Sequence, residues 1–379
     1  MLHWLAALPL LIWAYLLIAR GGFWRVRAHL PRPDATGAPA RRVVAVIPAR
    51  DEADSIGAAV RSLLDQDFAG ELRVIVIDDG SSDGTAGAAR AGAGPHAARL
   101  QVLTGAALPA GWTGKLWAMS QGVQAARALE PDFLLFTDAD IQHEPANVRC
   151  LVARAEAAGR DLVSSMVRLS TDSFAERCLI PAFVFFFFKL YPPRWIAAPN
   201  RRTAGAAGGC VLIRPAALER AGGIAALRAQ IIDDCALARA VKDAGGSVWL
   251  GLTRDARSIR RYGSFAQIGA MISRTAFNQL NHSYLLLAGT VLGLTCTYLL
   301  PPLLLLTGNP VAIALGAAAW VLMTLAYLPM VRFYGLSAPW SLALPAVAAF
   351  YGAATVHSAL QYRLGRGGTW KGRAQDARA

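Results

Sequence analysis

Cysteine is scarce in this chain of 379 residues. Cys150, Cys178, Cys210, Cys235 and Cys296 are the whole complement, and none stands in a Cys-x-x-Cys pair. That spacing excludes a zinc finger or ribbon and gives no disulfide framework, so the cysteines read as reduced core residues. Acidic side chains are also few, 25 Asp and Glu against 38 Lys and Arg, for a formal net charge of +13. The basic residues flank apolar segments and do not interleave with aromatics on a polar stretch. Their placement speaks against nucleic acid and for anionic lipid headgroups. No self-similar period of about 20 to 50 residues is present, which excludes a solenoid. No small-residue cleavage site follows the first apolar stretch, since Arg20-Gly-Gly-Phe-Trp-Arg25 comes next. That stretch therefore reads as an uncleaved anchor and not as a signal peptide.

What the chain has in excess is apolar sequence, 55% hydrophobic residues with a mean hydropathy of +0.36, and the excess sits at the two ends. Residues 5–19 are uncharged and, with those before them, approach the roughly 20 residues a membrane helix needs. We expect an anchor at 1–20 and a basic linker at 21–42. Segments 285–306, 311–331 and 341–360 are each long enough to span, within an expected membrane region of 285–360 that precedes a basic tail at 361–379. Arg20, Arg25, Arg27, Arg32, Arg41 and Arg42 follow the first segment, and Arg254, Arg257, Arg260, Arg261 and Arg274 precede the second. By the positive-inside rule the region between them is cytoplasmic. Three full C-terminal spans would carry Arg363, Arg366, Lys371, Arg373 and Arg378 outside, so one segment is expected not to cross. The last, with Pro339 and Pro345, is the candidate re-entrant or interfacial piece.

The central region, 43–260, alternates strand and helix patterns: strands at 43–47, 72–77, 100–103, 133–137, 161–165 and 210–213, with helices at 55–65, from 85, at 116–129 and at 147–158. The order predicts an α/β fold with a mostly parallel, doubly wound sheet, followed by an amphipathic linker at 261–284. Two of the apolar runs end abruptly in acids, Val74-Ile-Val-Ile-Asp-Asp79 and Phe133-Leu-Leu-Phe-Thr-Asp-Ala-Asp140. Such strands deliver carboxylates to one rim, where ligands bind in open parallel sheets. Asp138 and Asp140 offer hard oxygen ligands to a divalent cation shared with phosphate oxygens. Asp78 and Asp79 can accept hydrogen bonds from a base or ribose. The paired Asp233 and Asp234 read equally well as a helix N-terminal acid pair complementing the dipole. The aromatic run Phe183-Val-Phe-Phe-Phe-Phe188, ending in Lys189, Tyr191, Arg194 and Trp195, is too short to span. It suits either a membrane interface, within an expected interfacial segment at 178–195, or a buried core helix. Two motifs are decoys of different quality. Gly92-Ala-Gly-Pro-His-Ala97 fits a loose dinucleotide fingerprint but follows no strand. Gly80-Ser-Ser-Asp-Gly84 fits a nucleophile elbow between strand and helix, and a serine hydrolase would then need His143 or His282 as its base.

Pro48-Ala-Arg-Asp-Glu52, Asp78-Asp-Gly-Ser-Ser-Asp-Gly84, Gly114-Lys-Leu-Trp-Ala118, Asp138-Ala-Asp140 and Asp233-Asp-Cys-Ala236 together resemble the inverting family 2 glycosyltransferases with a GT-A fold, over about residues 43–274. Trp112-Thr-Gly-Lys-Leu-Trp117, Ile180-Pro-Ala-Phe-Val-Phe-Phe-Phe187 and Ile232-Asp-Asp-Cys-Ala-Leu237 resemble more narrowly the bacterial hopene-associated glycosyltransferases; ceramide glucosyltransferases are a more distant likeness. The resemblance implies a bacterial inner-membrane enzyme with its catalytic domain in the cytoplasm, taking a nucleotide-sugar donor and a membrane lipid acceptor. Pro48, Ala49, Arg50 and Glu52 would line the nucleotide pocket, with Asp78 and Asp79 on a uridine and Lys115 on the diphosphate. Asp138 and Asp140 would bind Mg2+ or Mn2+. Asp234 would be the general base, with Asp233 orienting it or meeting sugar hydroxyls. Gly208 and Gly209 would allow close approach of donor or acceptor, and Arg274 would pair with the diphosphate. Two departures stand out. Arg50-Asp51-Glu52 replaces an Asn-Glu-Glu pattern, and Met271-Ile-Ser-Arg-Thr275 keeps only the arginine of the Gln-x-x-Arg-Trp motif of processive polysaccharide synthases. A processive synthase and a non-catalytic nucleotide-binding membrane scaffold are the rival readings.

Overall fold

Alternate residues of one strand face two different apolar layers, and this decides how the molecule is built. In β1 (Arg42–Ala49), Val43, Ala45 and Ile47 are packed in one core cluster and Val44 and Val46 in another. Successive side chains of a strand point to opposite faces, so a continuously apolar strand needs cover on both. The computed structural model describes residues 2–26, 30, 40–365, 369–370 and 373–374. Arg27, Arg32, Arg366, Lys371 and Arg378, counted above among the basic flanks, lie outside the described residues, as do most of the basic linker and tail.

The sheet comprises β1, β2 (Glu71–Asp78), β3 (Leu100–Thr104), β4 (Phe133–Phe136), β5 (Ile141–His143), β6 (Leu162–Arg168), β7 (Val211–Ile213) and β8 (Val248–Ser258), in the order β3-β2-β1-β4-β7-β6-β8-β5. β1 to β4 are parallel, as the alternating pattern predicts; β7 runs antiparallel to β4 and β6, and β5 antiparallel to β8. The register pairs Ala49 with Asp78 and Val46 with Phe136, so the residues after β1, β2 and β4 share one rim. The helices in chain order are α1 (Leu2–Ala19), α2 (Ala53–Leu64), α3 (Thr85–Ala93), α4 (Gly114–Ala126), α5 (Asn147–Ala157), α6 (Phe174–Leu190), α7 (Pro193–Ala197), α8 (Pro215–Arg220), α9 (Asp233–Asp243), α10 (Phe265–Ala276), α11 (Tyr284–Leu294), α12 (Leu300–Leu304), α13 (Pro310–Phe333) and α14 (Leu344–Arg363). Side chains of α2, α3 and α5 fill the cluster on the Val43 face, while α4, α9 and α6 fill the one on the Val44 face.

Part of the aromatic run is buried in protein, and Phe183, Phe186 and Phe187 are partly buried. α6 starts with a capping box in which Ser173 and Glu176 satisfy each other's backbone donors. Phe185 and Phe188 are only 1–2% exposed. Phe185 lies 5.1 Å from Tyr327 of α13 and 5.3 Å from Phe23, and Phe186 lies 4.9 Å from Tyr351 of α14. The buried side chains of α6 find their partners between the sheet and the C-terminal helices.

Three helical stretches are long and apolar enough to cross a membrane: Tyr284–Leu304, Pro310–Phe333 and Ala338–Arg363. The last, expected to be re-entrant, is continuously helical. Pro339 and Pro345 each stand at the start of a helical piece, where the missing N–H costs nothing. α1 is shorter, and it docks alongside α13 with Trp13 Nε1 donating to Thr297 O at 2.8 Å.

Candidate active site

The rim shared by β1, β2 and β4 collects the acids that the sequence places at strand ends. Asp79 is 3% exposed and its N–H bonds Ala49 O at 2.8 Å, which locks the end of β2 to the end of β1. Asp78 turns back to accept Ser81 N–H at 2.9 Å, shaping the loop. Arg50, the departure from the Asn pattern, donates to Asp79 O and lies 3.9 Å from its carboxylate. The charged side chain thus fastens the two strand ends and flanks the expected base pocket.

Lys115 gathers the rest of the site. It occupies the first turn of α4, where Thr113 caps Leu116 N–H. A cation is unfavourable at a helix N-terminus unless anions surround it. Lys115 Nζ lies 2.9 Å from Asp138 Oδ1 and 3.2 Å from Asp233 Oδ2, so motifs from the end of β4 and the start of α9 meet on one ammonium. Burial opposes its charge, but the carboxylates of Asp138 and Asp233 more than offset this and hold the lysine protonated. For Asp138 burial pushes the pKa up, while Lys115, Arg274 and Arg260 outweigh it and leave the group below its ordinary value.

Asp234 differs from its neighbour. It has no ion pair among the described residues; its Oδ2 accepts Gly208 N–H at 2.8 Å and its Oδ1 accepts Cys235 N–H at 2.7 Å. Burial first, and then the Asp233 charge, push its pKa up to about 6, against smaller opposing effects of Lys115 and these two N–H groups. Gly208 borders both groups: a Cβ there would be in ordinary van der Waals contact, 3.4 Å from Asp234 Oδ2 and 3.5 Å from Lys115 Nζ. Gly209 instead packs against Val167 and Ile141 in the core, away from the acids. Pro48, Lys115, Asp138, Gly208, Asp233 and Asp234 line one cavity of about 20 Å3, room for about one water.

One residue of the site was legible only in three dimensions. β5 pairs with β8 so that Ile141 faces Ser258, and this brings the following turn against Asp140. Arg260 there lies 3.0 Å from Asp140 Oδ2 and 2.6 Å from Glu52 Oε1. In sequence it stands among four arginines, a pattern that a membrane flank explains equally well. Arg274, on α10, is exposed and acts on Asp138 through space.

Asp138 and Asp140 suit a divalent cation of the Mg2+ or Mn2+ type. Each engages a protein cation through one oxygen only, Asp138 through Oδ1 and Asp140 through Oδ2, among the described residues. No third His, Cys, Asp or Glu completes a cluster with them among the described residues. Two carboxylates supplemented by phosphate and water oxygens is the way such ions are usually held beside a nucleotide. The serine hydrolase reading fails on geometry. His143 is buried and fully engaged, with Asn147 Nδ2 at 2.8 Å from Nδ1 and Thr137 Oγ1 at 3.0 Å from Nε2, and burial lowers its pKa to about 4. His282 stacks on Tyr362 of α14 at 4.1 Å between ring centres.

Residues 44–222 match the family model described as Glycosyl transferase family 2. Among solved structures, a mannosyltransferase from Pyrobaculum calidifontis in complex with GDP-Man and Mn2+ aligns over 96% of this chain and 100% of its own, at 18% identity and a TM-score of 0.55. Glucosyl-3-phosphoglycerate synthase from Mycobacterium tuberculosis, in complex with phosphoglyceric acid, aligns over 64% of this chain and 79% of its own, at 18% identity and a TM-score of 0.41. No curated protein sequence matches significantly. The sheet and its helices have the GT-A fold, and residues 44–222 carry a domain that matches glycosyltransferase family 2.

Proposed function

From a family 2 glycosyltransferase domain at residues 44–222, we propose that this chain moves one sugar from a nucleotide-diphosphate sugar, a UDP-sugar in the first instance, to a hydroxyl of a membrane lipid. The reaction runs with inversion at the cytoplasmic face of a bacterial inner membrane, in hopanoid or related lipid metabolism. The observation that carries the proposal is the double contact of Lys115 with Asp138 and Asp233, which seats the candidate base Asp234 beside the donor motif.

In this reading Asp79, with Arg50 across it, receives the nucleoside end, and Lys115 and the N-terminus of α4 receive the diphosphate. Asp234 takes the proton of the acceptor hydroxyl as its oxygen attacks the anomeric carbon and the bond to the diphosphate oxygen breaks. Its two backbone N–H partners fix its orientation, and its raised pKa suits a base working near neutrality. Asp233 holds Lys115 in place. A divalent cation on Asp138 and Asp140 would neutralise charge on the departing diphosphate. The Mn2+ found together with GDP-Man in the Pyrobaculum mannosyltransferase supports that choice. The three apolar stretches after Tyr284 and the docking of α6 against them favour an acceptor delivered from the bilayer.

The test is nucleotide release by the lipid-reconstituted protein with Mn2+, against UDP-sugars and GDP-Man and with bacterial lipid extract, for wild type, Asp140→Ala and Asp234→Asn. We expect metal-dependent release from one donor class, lost in both variants. Nucleotide binding without sugar transfer, and without donor hydrolysis, would favour a scaffold instead.

A further inference from the structure

We propose that Arg260 is a positioning residue of the donor site, which holds Asp140 and Glu52 in the metal-free protein and yields Asp140 when a divalent cation arrives. This rests on the reading that Asp138 and Asp140 carry that cation. One guanidinium bridges two strand ends. Its Nη2 donates to Glu52 Oε1 at 2.6 Å, after β1, and its Nε donates to Asp140 Oδ2 at 3.0 Å, after β4. Ser258 Oγ donates to the same Oδ2 at 3.0 Å and accepts Arg260 N–H at 3.2 Å, which fixes the arginine's backbone beside the carboxylate it pairs. The Asp140 and Glu52 side chains are 12% and 15% exposed, whereas that of Arg260 is 39% exposed. The acids are thus built into the site, and the cation is the partner with room to leave.

Like charges repel steeply at such distances, so a divalent ion on Asp140 and the Arg260 pair with Asp140 oppose one another. Glu52 keeps the released guanidinium at the rim. With five donors and no acceptor, it is there suited to oxygens of the donor's diphosphate. Arg260 therefore weakens bare metal binding and strengthens binding of the metal with the nucleotide. A residue that merely braced the fold would do neither.

The experiment titrates Mn2+ into the full-length protein in lipid nanodiscs without nucleotide, following free Mn2+ by electron paramagnetic resonance, for wild type, Arg260→Gln, Arg260→Lys and Asp140→Asn. Arg260→Gln is expected to bind Mn2+ about tenfold more tightly than wild type, a typical coupling between two competing ligands. It is also expected to bind UDP several-fold more weakly at saturating Mn2+. Arg260→Lys should fall between, because one ammonium serves one carboxylate at a time. Thermal unfolding confirms that each variant is folded, and Arg260→Lys carries the comparison if the glutamine variant is not. Equal or weaker Mn2+ binding in the Arg260 variants, with binding still abolished in Asp140→Asn, overturns the inference and leaves the metal site standing. No Mn2+ binding in wild type and Arg260 variants alike overturns both.

Discussion

Asp234 and Asp233 are adjacent in sequence yet differ in charge environment, and the difference suits them to the separate roles proposed above. Asp233 shares Lys115 with Asp138, while Asp234 has backbone donors and an upward-shifted pKa of about 6. A base works deprotonated, so the rate of transfer to the acceptor should hold steady above that pH and fall tenfold per unit below it. The pH profile of kcat/KM checks this directly. Asp234→Asn should cost about 10²–10⁴ in transfer rate, the usual contribution of a general base, with nucleotide affinity unchanged. Lys115 opposes the rise of the Asp234 pKa, so Lys115→Gln should move the acid limb of the profile to higher pH as well as weaken donor binding. An unmoved limb would place Lys115 outside the base's surroundings. At this scale the sequence exposed the acids because each ends an apolar run or opens a helix. It concealed Arg260, whose role depends on the pairing of β5 with β8, a contact between segments more than a hundred residues apart.

Elements with a clear apolar run or helical spacing were readable, the three-residue β7 among them, whereas β5 was not. β1, β2, β3, β4, β6 and β7 and helices α2, α3, α4 and α5 stand where apolar runs and helical spacing place them; in β1 and β4 burial on both faces leaves little choice of residue. β5 is a largely polar three-residue strand that follows directly on the acidic turn, and the polar end of β8 carries exposed Arg254 and Arg257 among buried positions, which obscures it. The Gly92 decoy shows what that glycine does in the fold. A Cβ at Gly92 would stand 2.4 Å from Gly57 O and 2.7 Å from Gly57 Cα, so α2 and α3 cross with their backbones nearly touching. Gly92→Ala gains about 1 kcal/mol of helix propensity but forces apart two backbones, an overpacking cost of typically about 1–3 kcal/mol or more. We expect the clash to win, lowering the unfolding temperature by a few degrees while leaving donor affinity intact at low temperature. A stabilised variant would mean that the two helices part freely. For the same reason, serine in place of Phe185 or Phe188 tests stability rather than acceptor delivery: both rings are buried, and truncating such a ring costs about 3–5 kcal/mol.

At the scale of the whole molecule, the eight-stranded sheet and the membrane-type helices share one core. From Val46 of β1 through Phe185 and Phe188 of α6 to Tyr327 of α13 and Tyr351 of α14, buried side chains form a single cluster. Sequence composition separated an apolar end from a mixed centre, but it had no means of showing that α6 joins them, since an aromatic run looks alike facing lipid or protein. The outer surface of the C-terminal helices is itself apolar, with Leu285 83% and Leu306 82% exposed, as a lipid-facing surface requires. Removing those helices would take that surface away with them and bare the face of α6 that they cover. Each large side chain returned to water costs roughly 1.5–3 kcal/mol, and several together approach the 5–15 kcal/mol of a typical domain's stability. A chain ending at residue 283 should then aggregate or lose its cooperative unfolding transition, whereas the full chain in nanodiscs should unfold in one transition by tryptophan fluorescence. A soluble, monomeric fragment that still binds nucleotide would show instead that the two parts merely touch, and that lipid reaches Asp234 across an interface free to open.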